Sequence, residues 1–154
     1  MATIVQARSG ADIARARELL EEYVRIVDAP ECFTGYEDEL AGLPGAYAPP
    51  AGRLYIALEN GIATGCVALR GLDETTAEMK RLYVRAGARS EGLGRRLAIK
   101  AIDAARKIGY ARVVLDTLPK MHEAALLYRS LRFQKIAPYL ACPTPGAICY
   151  ELRL

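Results

Sequence analysis

The run Arg89-Ser90-Glu91-Gly92-Leu93-Gly94-Arg95 has the residue types and spacing of an anion site. It stands between a strand-like segment, Met79 to Arg85, and an amphipathic helix that begins at Gly92 and reaches about Ile108. Glycine lets a ligand approach the backbone closely. The first N–H groups of a helix have no intrahelical partner, and the helix dipole adds partial positive charge beside them. Strand, glycine-bearing turn and helix N-terminus together suit a diphosphate. The order Arg-x-x-Gly-x-Gly is not the Gly-x-Gly-x-x-Gly of dinucleotide folds. No Gly-Lys-Ser/Thr follows it, so it is not a Walker loop.

Other chemistries find less support. The four cysteines, at 32, 66, 142 and 149, form no Cys-x-x-Cys pair, and His122 is the only histidine. No metal is expected from that set, and the thiols read as reduced. A length of 154 residues predicts one domain, spanning residues 1–154, with a substantial core. Hydrophobic content of 52% with 25% charged residues is that of a soluble globular chain. A net charge of +3 is too small and dispersed to argue for nucleic acid. The first eight residues lack the apolar stretch of a signal peptide, and no apolar run is long enough to cross a bilayer. The expectation is a cytoplasmic protein, monomer or homodimer, with neither nucleic acid nor membrane as partner.

The elements that must position the loop are legible from periodicity and punctuation. Thr3 to Ala7 predicts a strand. Ser9 is a good N-cap for a helix from about Ala11 to Val27, with Ile13, Ala16, Leu20, Val24 and Val27 on one face. Residues 31–40 predict a loop and one short helix, and Gly42 to Gly52 a surface loop. Arg53 to Glu59 and Ile62 to Leu69 flank Asn60-Gly61, a strong hairpin signal. Thr76 to Arg85 is the strand before the loop. In the helix after it, Leu93, Leu97, Ala101, Ala105 and Ile108 form one stripe, and Gly109 ends it. Tyr110 to Thr117 predicts a strand, Pro119 or Lys120 to Leu131 a helix, and Phe133 to Ile136 and Ala147 to Leu152 two last strands. Strands outnumber helices and only part of the chain alternates the two. That argues for a mixed α+β fold, a mostly antiparallel sheet flanked by helices on both faces.

The loop resembles the coenzyme A pyrophosphate loop of the GNAT N-acetyltransferase superfamily, Gln/Arg-x-x-Gly-x-Gly/Ala, with Arg89, Gly92 and Gly94 at its fixed positions. The element order is similar to the GNAT fold over nearly the whole chain. A second run, Ala124-Ala125-Leu126-Leu127-Tyr128-Arg129-Ser130-Leu131-Arg132-Phe133, is similar to the GNAT segment Ala-x-x-Leu-Tyr-x-x-x-Gly-Phe. The resemblance implies an acyltransferase that moves the acetyl group of acetyl-CoA to a primary amine by direct attack in a ternary complex, without a metal. It implies that Arg89, Ser90, Glu91, Gly92, Leu93, Gly94 and Arg95 hold the diphosphate. The backbone of Leu82, Tyr83 and Val84 would pair with the pantetheine arm like an added strand.

Glu78 lies eleven positions ahead of Arg89, where the histone-acetyltransferase branch of the family carries its general base. An amine of pKa near 10.4 is mostly protonated at pH 7, so a carboxylate that takes the proton directly or through water would help. Its other reading is a surface glutamate paired with Lys80. The resemblance makes Tyr128 the acid for the departing thiolate; otherwise it is a core tyrosine. Phe33, Tyr36 and Tyr139 fall in regions that wall the acceptor site in GNAT enzymes. The first two sit in an acidic stretch with Glu37, Asp38 and Glu39, suited to a cationic amine. The chain departs from the family where an Asn is common, here Met121, and where Gly precedes Phe, here Arg132. Two other functions stay open: a coenzyme A-binding regulatory or interaction module without turnover, and a nucleotide phosphate binder. The acceptor and the acyl chain length are not specified.

Overall fold

The computed structural model describes residues 1–27, 35–139 and 145–154, apart from the side chain of Ser90. Its elements are β1 (Thr3–Gln6), α1 (Gly10–Val27), α2 (Tyr36–Ala41), β2 (Arg53–Glu59), β3 (Ile62–Gly71), β4 (Thr76–Val84), α3 (Leu93–Ile108), β5 (Arg112–Thr117), α4 (His122–Ser130), β6 (Gln134–Ile136) and β7 (Ile148–Arg153). The strands form one sheet in the order β1-β2-β3-β4-β5-β7-β6. Every neighbouring pair is antiparallel except β4 and β5. This is the expected mixed sheet.

Local chemistry accounts for the ends of the elements. Ser9 Oγ accepts the Asp12 N–H at 3.1 Å and so caps α1. Asn60 and Gly61 both take positive φ, 52° and 77°, as a tight two-residue hairpin turn requires. Alternate residues of β3 face opposite ways. Val67 and Leu69 join the apolar layer under α3 and α4, while Cys66 and Ala68 join the layer under α1 and α2. Leu93, Leu97, Ala101 and Ala105 of α3 are all 0% exposed. Fully burying a leucine side chain is worth about 1.5–3 kcal/mol, so this stripe fixes α3 against the sheet.

Several boundaries differ from the sequence reading, most by one or two residues. Gly42 to Gly52 is not a plain surface loop: it holds a short 3-10 turn, Gly45–Tyr47, and buries Leu43 and Tyr47 beside Leu40 and Leu54. The two apolar side chains gain more from the core than from water. The strand before the anion loop stops at Val84, and a 3-10 turn, Ala86–Glu91, comes before α3. The fourth helix starts at His122, because Met121 takes a non-helical φ of −91° with ψ of 66°. Among the described residues, no helix is long and apolar enough to cross a membrane.

Candidate active site

The site begins where two strands part. β4 and β5 pair only at Thr76↔Arg112, Ala77↔Val113 and Glu78↔Val114. Beyond Glu78, β4 stays with β3 and β5 stays with β7. Among the described residues, the edge of β4 that faces β5 has no partner strand beyond Glu78. A bulge sharpens the divergence. Cys66 pairs with Tyr83 and Ala68 with Lys80, so Arg81 and Leu82 together lie opposite Val67. Arg81 has φ of 60°, uncommon for a residue with a side chain. Its guanidinium forks onto Glu39 with bonds of 3.0 and 2.9 Å, which ties the bulge to α2. Burial pushes the Glu39 carboxyl up, but the Arg81 bonds and charge outweigh it and hold the group below the usual carboxylate range.

A cleft of ≈ 1000 Å³ fills the gap, walled by Met79 to Val84, the ends of β5 and α1, the start of α4, and the anion loop. At the loop end, Gly92 has φ of 67° and caps α3. The first bond within α3 runs from the Arg96 N–H to the Gly92 carbonyl, at 3.2 Å. The N–H groups of Leu93, Gly94 and Arg95 therefore precede the helical ladder. Arg89, Gly92, Gly94 and Arg95 line the cleft. Arg89 is steadied by Nε donating to the Val84 carbonyl at 2.8 Å, and Arg95 by Nη1 donating to Ser130 Oγ at 2.8 Å.

Tyr128, on α4, also lines the cleft. Its ring packs on Phe133 and Tyr150, with centroids 5.8 and 6.2 Å apart. Its hydroxyl bonds to no described residue, yet among the described residues no buried side-chain oxygen lacks a partner. The hydroxyl is thus the part of Tyr128 that opens onto the cleft it lines. Burial, with Tyr23 and Asp116 nearby, raises its pKa, so it keeps its proton at neutral pH.

The acetyltransferase (GNAT) family profile matches residues 14–133. The chain belongs to the GNAT acetyltransferase family. An uncharacterized N-acetyltransferase of Schizosaccharomyces pombe is 36% identical over 145 residues, covering 93% of this chain and 89% of that one. A crystal structure of an acetyltransferase from Streptococcus agalactiae has the same fold, with a TM-score of 0.85, 24% identity, and coverage of 99% of this chain and 98% of that one. A Salmonella typhimurium acetyltransferase solved with its cofactor acetyl-CoA superimposes with a TM-score of 0.70 at 23% identity, over 99% of this chain and 94% of its own.

In this GNAT chain, the residues singled out from sequence do not all face the cleft. Leu82, Tyr83 and Val84 do. The Tyr83 hydroxyl donates to Glu22, and burial together with that bond pushes its pKa up to about 12. Leu93 does not: the left-handed turn at Gly92 sends its side chain into the core, at 0% exposure. Glu91 is exposed and outside the lining. Only the main chain of these two is available to a ligand in the cleft. The side chain of Ser90 and all of Phe33 lie outside the described residues.

Glu78 stands behind the cleft rather than in it. It is 0% exposed, and its Oε1 accepts from Arg70 Nε at 2.7 Å. Its Oε2 accepts from the Tyr139 hydroxyl, and Lys80 Nζ is 3.9 Å away. Tyr139 is thus occupied by Glu78 and is not part of the cleft lining. A buried carboxylate needs donors, and Tyr139 supplies one. Tyr36 packs near Val27 beside Tyr23 and Met121, also behind the lining. The described part of the acidic stretch, Glu37 to Glu39, does not line the cleft either. Glu39 is tied to Arg81, while Glu37 and Asp38 are exposed. What the sequence reading missed is Lys80 and Asp116, both in the lining. The available signal was a lone charge, Asp116, inside the apolar strand Val113-Val114-Leu115.

Proposed function

We propose that residues 1–154 form one N-acetyltransferase domain that binds acetyl-CoA in this cleft and passes its acetyl group to a primary amine. The observation that carries the proposal is the unpaired edge of β4 running straight to the free N–H groups of α3. The edge suits a chain with amide groups, and the helix start suits a diphosphate. From Leu82 to Val84, past the bulge, the edge spans roughly 7 Å at strand rise, room for one amide-bearing stretch of an extended arm. Support for acetyl-CoA also comes from the Salmonella typhimurium relative of the same fold, which was solved with it.

The chemistry then needs three things from this chain. An amine, entering as an ammonium, must lose a proton. Of the two routes open to Glu78, its placement behind the lining favours the one through water. The neutral nitrogen attacks the thioester carbonyl, and a main-chain N–H of β4 steadies the oxyanion. The C–N bond forms, the C–S bond breaks, and the nitrogen gives up its second proton. Tyr128 protonates the departing thiolate and regains its own proton from solvent. The sum is an amide, free coenzyme A and one proton released.

Calorimetric titration with acetyl-CoA tests the first step. Wild type should bind saturably, and Gly92→Glu should not, because it adds a side chain at φ of 67° and a negative charge at the anion site. No binding to folded wild type at large excess would overturn the proposal.

A further inference from the structure

The splayed strands leave two opposite charges facing the cleft with little to hold them. Glu78↔Val114 is the last pair joining β4 to β5. Lys80 and Asp116 each lie two residues past that pair, so they occupy the same face of the sheet, one on either side of the opening. Were the ladder to continue they would be neighbours. Instead the strands separate, and no ion pair within 4 Å joins the two among the described residues.

Lys80 has one long ion pair and Asp116 has none among the described residues. Lys80 is 19% exposed and makes no hydrogen bond to a described residue. Its nearest anion is Glu78 at 3.9 Å, already taken by Arg70 and Tyr139. Asp116 makes no side-chain hydrogen bond or ion pair to a described residue. Burial lowers the pKa of Lys80 and raises that of Asp116, in each case against the charged form. The other cations of the lining are engaged: Arg81 by Glu39, Lys120 by the Val27 carbonyl at 2.6 Å, Arg89 and Arg95 at the loop end.

We infer that the acceptor is an α-amino acid, its carboxylate held by Lys80 and its ammonium by Asp116. This rests on the acetyltransferase reading above and names its acceptor class. A zwitterion supplies both missing partners at once. It replaces two undercompensated charges with two charge-assisted contacts. A polyamine or an aminoglycoside would leave Lys80 facing more positive charge. Asp116 is also close enough to Tyr128 for its charge to raise the tyrosine pKa. This brings the bound amine to the end of the cleft where the thiolate leaves. Lys80 lies along β4 on the far side from the diphosphate loop, so it is placed for the acceptor and not for phosphate.

The test compares kcat/KM of the whole chain for free amino acids, their methyl esters and the corresponding decarboxylated amines, with spermidine included, at saturating acetyl-CoA. Wild type should prefer the free amino acids by about 10- to 100-fold, the worth of a hydrogen bond to a charged group. Lys80→Glu should cut that preference at least about tenfold, and Lys80→Arg should keep it, since only the latter retains the cation. Calorimetry with acetyl-CoA on each variant reports that the cofactor end is intact. If Lys80→Glu does not fold, the ester comparison on wild type decides. A best acceptor without a carboxylate, or a preference untouched by Lys80→Glu, would overturn the inference. So would acetyl-CoA binding with transfer to no amino acid. Absence of acetyl-CoA binding would instead remove the acetyltransferase reading beneath it.

Discussion

Tyr128 carries the clearest expectation of any single residue. Its ring is core and its hydroxyl opens onto the cleft, so the two readings open from sequence concern different atoms. Tyr128→Phe keeps the packing against Phe133 and Tyr150 and removes only the proton donor. Turnover should fall about 100-fold, the low end for a positioned general acid, while acetyl-CoA affinity stays near wild type. Steady-state kinetics beside calorimetry checks both, and unchanged turnover would take Tyr128 out of the mechanism. Arg132 shows how a departure from a family pattern can be absorbed. It keeps the left-handed backbone that glycine usually supplies, with φ of 73°, at a cost of about 1–2 kcal/mol. Glu78 was legible as a candidate from its offset to Arg89. That its carboxylate would be spent on Arg70 and Tyr139 was not legible: Arg70 lies opposite it only in the β3–β4 register, and Tyr139 comes from a distant part of the chain.

Elements with strong local signals read well from sequence. The Asn60-Gly61 hairpin, the body of α3 and its end at Gly109 rest on turn chemistry and periodicity within a few residues. The bulge in β4 does not. Lys80-Arg81-Leu82 contains no glycine to announce a left-handed residue, and the conformation is maintained by an ion pair with Glu39, 42 residues away. Glu39→Gln should therefore destabilise the fold by about 2 kcal/mol at neutral pH, in the range of charge-assisted hydrogen bonds. The folded pKa of Glu39 lies below its unfolded value of 4.5, so the pair contributes fully above that pH. The contribution is lost as pH falls through the folded pKa. Denaturant melts of wild type and Glu39→Gln should differ at pH 7 and converge toward pH 3. A gap that persists undiminished at pH 3 would assign the stability to packing.

For the whole molecule, the cleft is a consequence of topology: one parallel pair in an otherwise antiparallel sheet, joined for three residues and then let go. Filling it should stabilise the fold. Acetyl-CoA at 100 times its Kd adds about 2.7 kcal/mol, which raises the Tm of a chain this size by roughly 6–10 °C. Thermal melts should show that shift in wild type and not in Gly92→Glu; an equal shift in both would move the ligand off the loop. The amino-acid sequence by itself determined the mixed fold, the order of elements and the glycine-bearing turn at one end of the cleft, because periodicity, capping and the Arg-x-x-Gly-x-Gly turn act between near neighbours. Only the tertiary structure decided which charged groups face the cleft. Glu78, Lys80 and Asp116 look alike as charged residues in strands. Their burial and partners depend on where β4 parts from β5, and that is set by contacts between segments far apart in the chain.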